Sequence, residues 1–241
     1  MHLWPDWLEQ KVGLRTKIKK GNTMEQWKEM LENRSTTFAW SDKEVTKETI
    51  QSMLDDLHNH VPSKQAMMPY TIKVLDWSNV IVRHTIFENT HRDSELPVAS
   101  DLGNPQTLAP WLLAFTPRRP VEDEEYDQYE GADKEGFFNR MANLEIGIAS
   151  SFIVWSAAAR GLSTGYCGCM NELEGSKRTI AKVLNPGNND PDEPTVLLGI
   201  GYKDHEATSY LDPRTNKQKI FPTNEHANLK RPDPNLYVSW L

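Results

Sequence analysis

Cysteine is almost missing from this chain: only Cys167 and Cys169 occur in 241 residues. That excludes the disulfide framework on which small secreted domains depend. One residue separates the pair, and disulfide geometry is demanding enough to make a bridge between them awkward. Cysteines beside a glycine loop ordinarily pack; a redox or metal role is the alternative. A reducing cytoplasm is the expected setting. Positive charge is also short, with 27 Lys and Arg against 34 Asp and Glu, a net charge of -7 and a pI near 5.5. Such a balance argues against general nucleic-acid binding. Long apolar runs are lacking too: mean hydropathy is -0.64, and no run approaches bilayer length, so no membrane association is expected. Residues 1–20 lack the basic-then-apolar pattern of a secretory signal, although Trp4, Trp7 and Leu8 suggest packing against something. There is no internal repeat, no Walker A sequence and no nucleophile elbow. Gly199-Ile200-Gly201 is only a fragment of a dinucleotide fingerprint. His58 and His60 have no cysteine nearby and read as a solvated face rather than metal ligands.

What remains is a soluble, globular pattern with helices and few strands. Met24 to Asn33 reads as a helix, with Thr23 and Gln26 in a capping-box pattern and Met24, Trp27, Met30 and Leu31 on one face. A second helix spans Lys47 to Asn59, capped by Thr46, with Ile50, Met53, Leu54 and Leu57 as its stripe. Val61-Pro62-Ser63 ends it. Tyr70 to Leu75 alternates as a strand does, Ser78 to His91 is a candidate helix, and Leu96 to Thr107 reads as loop. Trp111 to Thr116 is a continuous apolar run, as in a buried central strand. Pro117 to Gly136 is acidic and turn-rich, with Glu122, Asp123, Glu124 and Glu125 in succession, and reads as a solvated loop. Phe137 to Arg160 is apolar nearly all round, so it belongs in a core or a dimer interface. Gly161 stops it and opens a glycine-rich loop to Cys169. Ser176 to Leu184 is a short helix, Gly187 to Pro194 a loop, Thr195 to Tyr202 a buried strand, and Leu236 to Trp240 a terminal strand or docking segment. The alternation suggests one α+β layered domain.

Three stretches carry chemistry. The first is Asn33-Arg34-Ser35-Thr36-Thr37-Phe38, a polar turn with one arginine ahead of a helix. Its plainer reading is a capping turn with one surface arginine. The second is Pro62-Ser63-Lys64-Gln65-Ala66-Met67-Met68-Pro69-Tyr70, a turn leading into a strand. The third is Arg160-Gly161-Leu162-Ser163-Thr164-Gly165-Tyr166-Cys167-Gly168-Cys169, a helix stop followed by a glycine-containing loop. Asn104 precedes the Ala109-Pro110 strand entry, and Lys230-Arg231 precede Pro232 near the C-terminus.

Taken in this order, the motifs resemble the FMN-dependent nitroreductase family from about Asn33 to Arg231. The resemblance implies an α/β sandwich with a central mixed sheet flanked by helices, built as an interlocked homodimer with FMN held non-covalently between the chains. It implies residues 1–22 as an N-terminal extension, 23–241 as one FMN-binding domain, and a C-terminal arm from about 203 to 241 that reaches the partner. The implied phosphate anchors are Arg34, Ser35, Thr37, Lys230 and Arg231. Pro62, Ser63 and Lys64 would run beside the flavin, with Lys64 near its pyrimidine edge. Asn104 would contact the pyrimidine, and backbone N–H groups of Gly168 and Cys169 would face N5 and O4. NAD(P)H and a nitroaromatic, quinone or similar acceptor would exchange a hydride through the flavin, with no side chain acting as nucleophile or general base. Tyr70 and Tyr166 would shape the pocket. The sequence departs from the family at Asn33 and Thr37, where basic residues are usual, and at Ala66 and Met68, where Asn and Gln are usual. Those departures leave open a specialised flavin enzyme of the same family (flavin-fragmenting, dehalogenating or dehydrogenating) or a degenerate, non-catalytic flavin-binding dimer.

Overall fold

The computed structural model describes residues 23–34, 36–90, 103–118, 134–171, 174–213 and 215–220. Two compact units divide at Arg34. In the first, helix α1 (Thr23–Asn33) ends where the Arg34 amide donates to Met30 O at 3.1 Å. Met24 and Leu31 of its apolar face are exposed.

The second unit is built on a four-stranded sheet in the order β1 (Tyr70–Leu75), β2 (Trp111–Pro117), β4 (Val196–Gly201), β3 (Ser163–Cys167). All three pairings are antiparallel. The parallel component among the described residues is one isolated bridge, Thr36 to Thr164. Alternation along the strands sends side chains to opposite faces. Leu113, Phe115, Val196, Leu198 and Ile200 face one way, against α2 (Lys47–His60) and the long helix α4 (Lys134–Ala158). Leu112, Ala114, Leu197 and Cys167 face the other. There they meet Ile86 of α3 (Val80–Glu88) and Ile180 and Leu184 of α5 (Ser176–Leu184). Strands β5 (Ser209–Asp212) and β6 (Lys217–Ile220) form a separate hairpin.

Two expectations change. Gly161 to Cys169 is not all loop, because Ser163–Cys167 is a strand paired with β4. The reason is tertiary. Gly165 lies opposite Gly199 in register, and a Cβ on Gly165 would sit 2.7 Å from Thr37 O. Only bare backbone fits between that sheet edge and the segment after Arg34. The second change concerns length. Helix α4 runs unbroken for 25 residues, and Gly136–Ala158 is long and apolar enough to cross a bilayer by composition. It is a core helix here: Ile146, Ala149, Ile153 and Ala157 are buried against the sheet.

Arg83 is one of the largest fully buried side chains. Its guanidinium donates to Leu75 O (3.2 Å), Thr107 O (2.7 Å) and Ala109 O, and its Cζ lies 4.5 Å from the centre of the Trp77 ring. Burial lowers its pKa to about 9, partly offset by the Asp76 carboxylate. It stays charged at neutral pH and ties the end of β1 to the entry of β2.

Candidate functional site

The site residues fall at two places on the sheet. The first lies along β3. The Thr37 amide donates to Thr164 O at 2.9 Å, which lays the segment after Arg34 beside the strand. Thr37 is buried, and its Oγ1 has no hydrogen-bond partner among the described residues. A buried hydroxyl without a partner is costly, so such an atom points to something that completes it. Asn104 caps a short 3₁₀ turn (Pro105–Leu108), its Oδ1 accepting from the Gln106 amide at 2.9 Å. Its Nδ2 donates toward Gln106 Oε1 (3.1 Å), Cys167 Sγ (3.3 Å) and Cys169 Sγ (3.0 Å). Gly168 follows β3. Among the described residues a Cβ there would meet only Asn171 Nδ2, at 3.4 Å, so none of them crowds its backbone. Thr37, Asn104, Gly168 and Cys169 are thus gathered on one edge.

The second place is the turn before β1. Ser63 Oγ donates to Glu145 Oε2 at 2.7 Å, and the Lys64 amide donates to Glu145 Oε1 at 2.9 Å. Ser63 Oγ also accepts from the Met68 amide at 3.0 Å, closing the turn. Sequence reasoning missed Glu145. It sits on α4 among apolar residues and is only 2 % exposed. A lone carboxylate in such a helix is the signal that could have found it, since buried charge needs partners. Tyr70, at the start of β1, is buried with no partner on its OH among the described residues. Burial, and then the Glu145 charge, push its pKa up to about 12. Lys64 Nζ lies 4.8 Å from the Phe137 ring centre, a cation–π contact. Pro62 is exposed, and so is Tyr166.

Ala66 and Met68 have left-handed backbone, with φ of 57° and 44°. Asn is enriched in that conformation and Ala is not. The turn keeps the conformation that suits an asparagine, whereas the side chain is a methyl group.

The two places lie on opposite edges of the sheet, since β1 and β3 are the outermost of the four strands. At about 4.8 Å per strand they stand roughly 14 Å apart. Arg34 belongs to the first unit. Ser35, Lys230, Arg231 and the acidic run from Glu122 to Glu125 lie outside the described residues, as do Trp4 and Trp7.

No family model matches the sequence, and no curated protein does. The fold does match solved structures. The nitroreductase family protein from Streptococcus pneumoniae TIGR4 superposes with a TM-score of 0.58 at 14% identity, covering 89% of this chain and 100% of that one. Nitroreductase A from Vibrio parahaemolyticus gives 0.57 at 13%, covering 77% and 72%. A nitroreductase with bound FMN from Bacteroides fragilis gives 0.52 at 13%, covering 85% and 97%. This chain has the nitroreductase fold, an α+β sandwich.

Proposed function

We propose that this chain, with its nitroreductase fold, is an FMN-dependent oxidoreductase. It passes a hydride from NAD(P)H to a nitroaromatic, quinone or similar small acceptor in a reducing cytoplasm. The observation that carries this reading is the gathering of Thr37, Asn104 and the Gly168 backbone along β3. Among the described residues a buried hydroxyl lacks a partner there, and a glycine backbone is uncrowded. Those features fit a flat, hydrogen-bonding ring system. Ser35, Thr37, Lys230 and Arg231 would hold the cofactor phosphate, and Asn104, Gly168 and Cys169 the rest. When bound, flavin supplies the hydride chemistry, accepting and donating at N5. The residues of the chain bind and orient: the backbone N–H of Gly168 would offer a donor where negative charge would gather.

Pro62, Ser63 and Lys64 lie on the far edge of the sheet. We propose that they serve the flavin of a second copy, so that each of two sites in a homodimer draws on both chains. The outer face of α4 supports that assembly. Leu144 is 56% exposed and Ile148 36%, Ser151 is exposed, and Gly147 between them has nothing within 4 Å of an added Cβ. An apolar stripe with a small residue at its centre suits close approach of a second helix. Residues 203–241 would form the arm that reaches the partner, with 1–22 an extension outside the core domain.

One observation favours a second reading. The turn at Ala66 and Met68 keeps its left-handed backbone without the amide side chains, so a specialised or non-catalytic flavin protein shares the same scaffold. The visible spectrum of protein purified from a flavin-replete host tests the first part of the proposal. Two structured flavin bands are expected, bleached by NADH or NADPH without air. Bands that neither nucleotide bleaches favour the second reading. A protein that stays colourless after addition of FMN refutes flavin binding.

A further inference from the structure

The two cysteines carry chemistry that flavin binding does not use. Cys167 ends β3 and is 1% exposed, whereas Cys169, two residues on, is half-buried. Residues i and i+2 of a strand share a face, and the chain then tightens into a 3₁₀ turn over Cys169–Asn171. Both sulfurs therefore converge on one amide nitrogen, Asn104 Nδ2, at 3.3 and 3.0 Å. That nitrogen has two protons and three acceptors, Gln106 Oε1 being the third. At least one proton is shared. Asn104 is itself buried and fixed by the Gln106 amide, so the donor is held in place. The Cys167 thiol donates to the Cys169 sulfur, and that bond together with burial holds its pKa well above the usual thiol value. Cys167 keeps its proton. Cys169 is the more accessible of the two sulfurs, so it is the one an incoming reagent meets first.

We infer that Cys167 and Cys169 form a redox-active dithiol, with Cys169 the attacking sulfur, Cys167 the resolving one, and a low-molecular-weight disulfide as the oxidant. The Cys169 thiolate attacks one sulfur of the disulfide, whose S–S bond breaks, and the departing thiolate takes up a proton. Cys167 then gives up its proton and attacks Cys169 Sγ, and the second small thiol leaves. One protein dithiol is oxidised and one disulfide is reduced to two thiols. A bridge across a single residue is strained, and strained bridges are the readily reduced, reversible ones. This pair does not depend on flavin.

The test equilibrates the purified protein with mixtures of glutathione and glutathione disulfide, then traps free thiols by alkylation and weighs the peptide containing residues 167–169. Loss of both thiols together, as one two-electron transition reversed by excess glutathione, is expected. On untreated protein, phenylarsine oxide, which bridges close thiol pairs, should shield both from alkylation. Cys167→Ser is expected to accumulate a mixed disulfide on Cys169, and Cys169→Ser to react at least tenfold more slowly. Independent oxidation of the two thiols overturns the inference. So does failure of phenylarsine oxide to shield them, or equal reactivity of the two serine variants, and none of these three outcomes bears on whether FMN binds.

Discussion

Ala66 shows how much a single residue can disagree with its own backbone. Its φ of 57° places it in the left-handed region, which costs an L-residue with a Cβ roughly 1–2 kcal/mol. Ala66→Asn or Ala66→Gly is therefore expected to stabilise the protein by about 0.5–1 kcal/mol, read as a midpoint shift of roughly 1–4 °C in thermal unfolding. The strain was invisible in the sequence, where the position reads simply as the loss of an amide. Glu145 was hidden for the opposite reason: it stands in an apolar helix and its partners come from 81 and 82 residues away in the chain. The Glu145 charge also reaches Tyr70, whose pKa stands near 12 because of burial first and that carboxylate second. The sign follows from linkage. The fold favours the neutral phenol, so this contribution is complete below pH 10 and is lost as pH rises from 10 to 12. Tyr70→Phe should flatten that part of the alkaline stability profile. Glu145→Gln should lower the Tyr70 pKa without returning it to 10, as followed by phenolate absorbance.

At the scale of elements, legibility tracked the locality of the cause. Strand β1 (Tyr70–Leu75) and helix α5 (Ser176–Leu184) match their sequence-predicted bounds, and β2 extends only one residue further. Proline and glycine punctuate these segments and their side chains repeat with the right period, which are local facts. Strand β3 has no such pattern. Ser163-Thr164-Gly165-Tyr166-Cys167 extends because β4, buried at every residue, must pair on both sides. Gly199 tells the same story, since a Cβ there would come within 2.2 Å of Gln106 O. Gly147 meets nothing, and that difference between two glycines belongs to the folded state alone. The outer face of α4 yields the prediction proper to this scale. Leu144→Glu with Ile148→Glu should convert the proposed dimer to monomer in sedimentation while far-ultraviolet dichroism is unchanged. If the protein already sediments as a monomer, the covered-face reading is wrong.

At the scale of the whole molecule, a site divided between opposite edges has a genetic signature. A chain damaged at Asn104 and another damaged at Ser63 should each lose NAD(P)H-driven turnover, yet mixing them by unfolding and refolding should restore part of it. Mixed dimers then contain one intact site; no recovery would place both edges in one chain's own site or outside it. The sequence resemblance named the residues on both edges but could not say they stand apart, because the strand order that separates them is set by pairing among strands spread from Tyr70 to Gly201. Arg83 has a further consequence of the same long range. Its three carbonyl partners come from the end of β1 and from the segment entering β2. A half-assembled chain would have to leave that guanidinium hydrated, and water cannot reach it once the segments close. Opening any one contact thus favours opening all of them. Amide hydrogens around residues 75 and 107–109 should exchange with solvent deuterium at a common, slow rate, as one cooperative unit. Arg83→Met should leave them exchanging separately and faster.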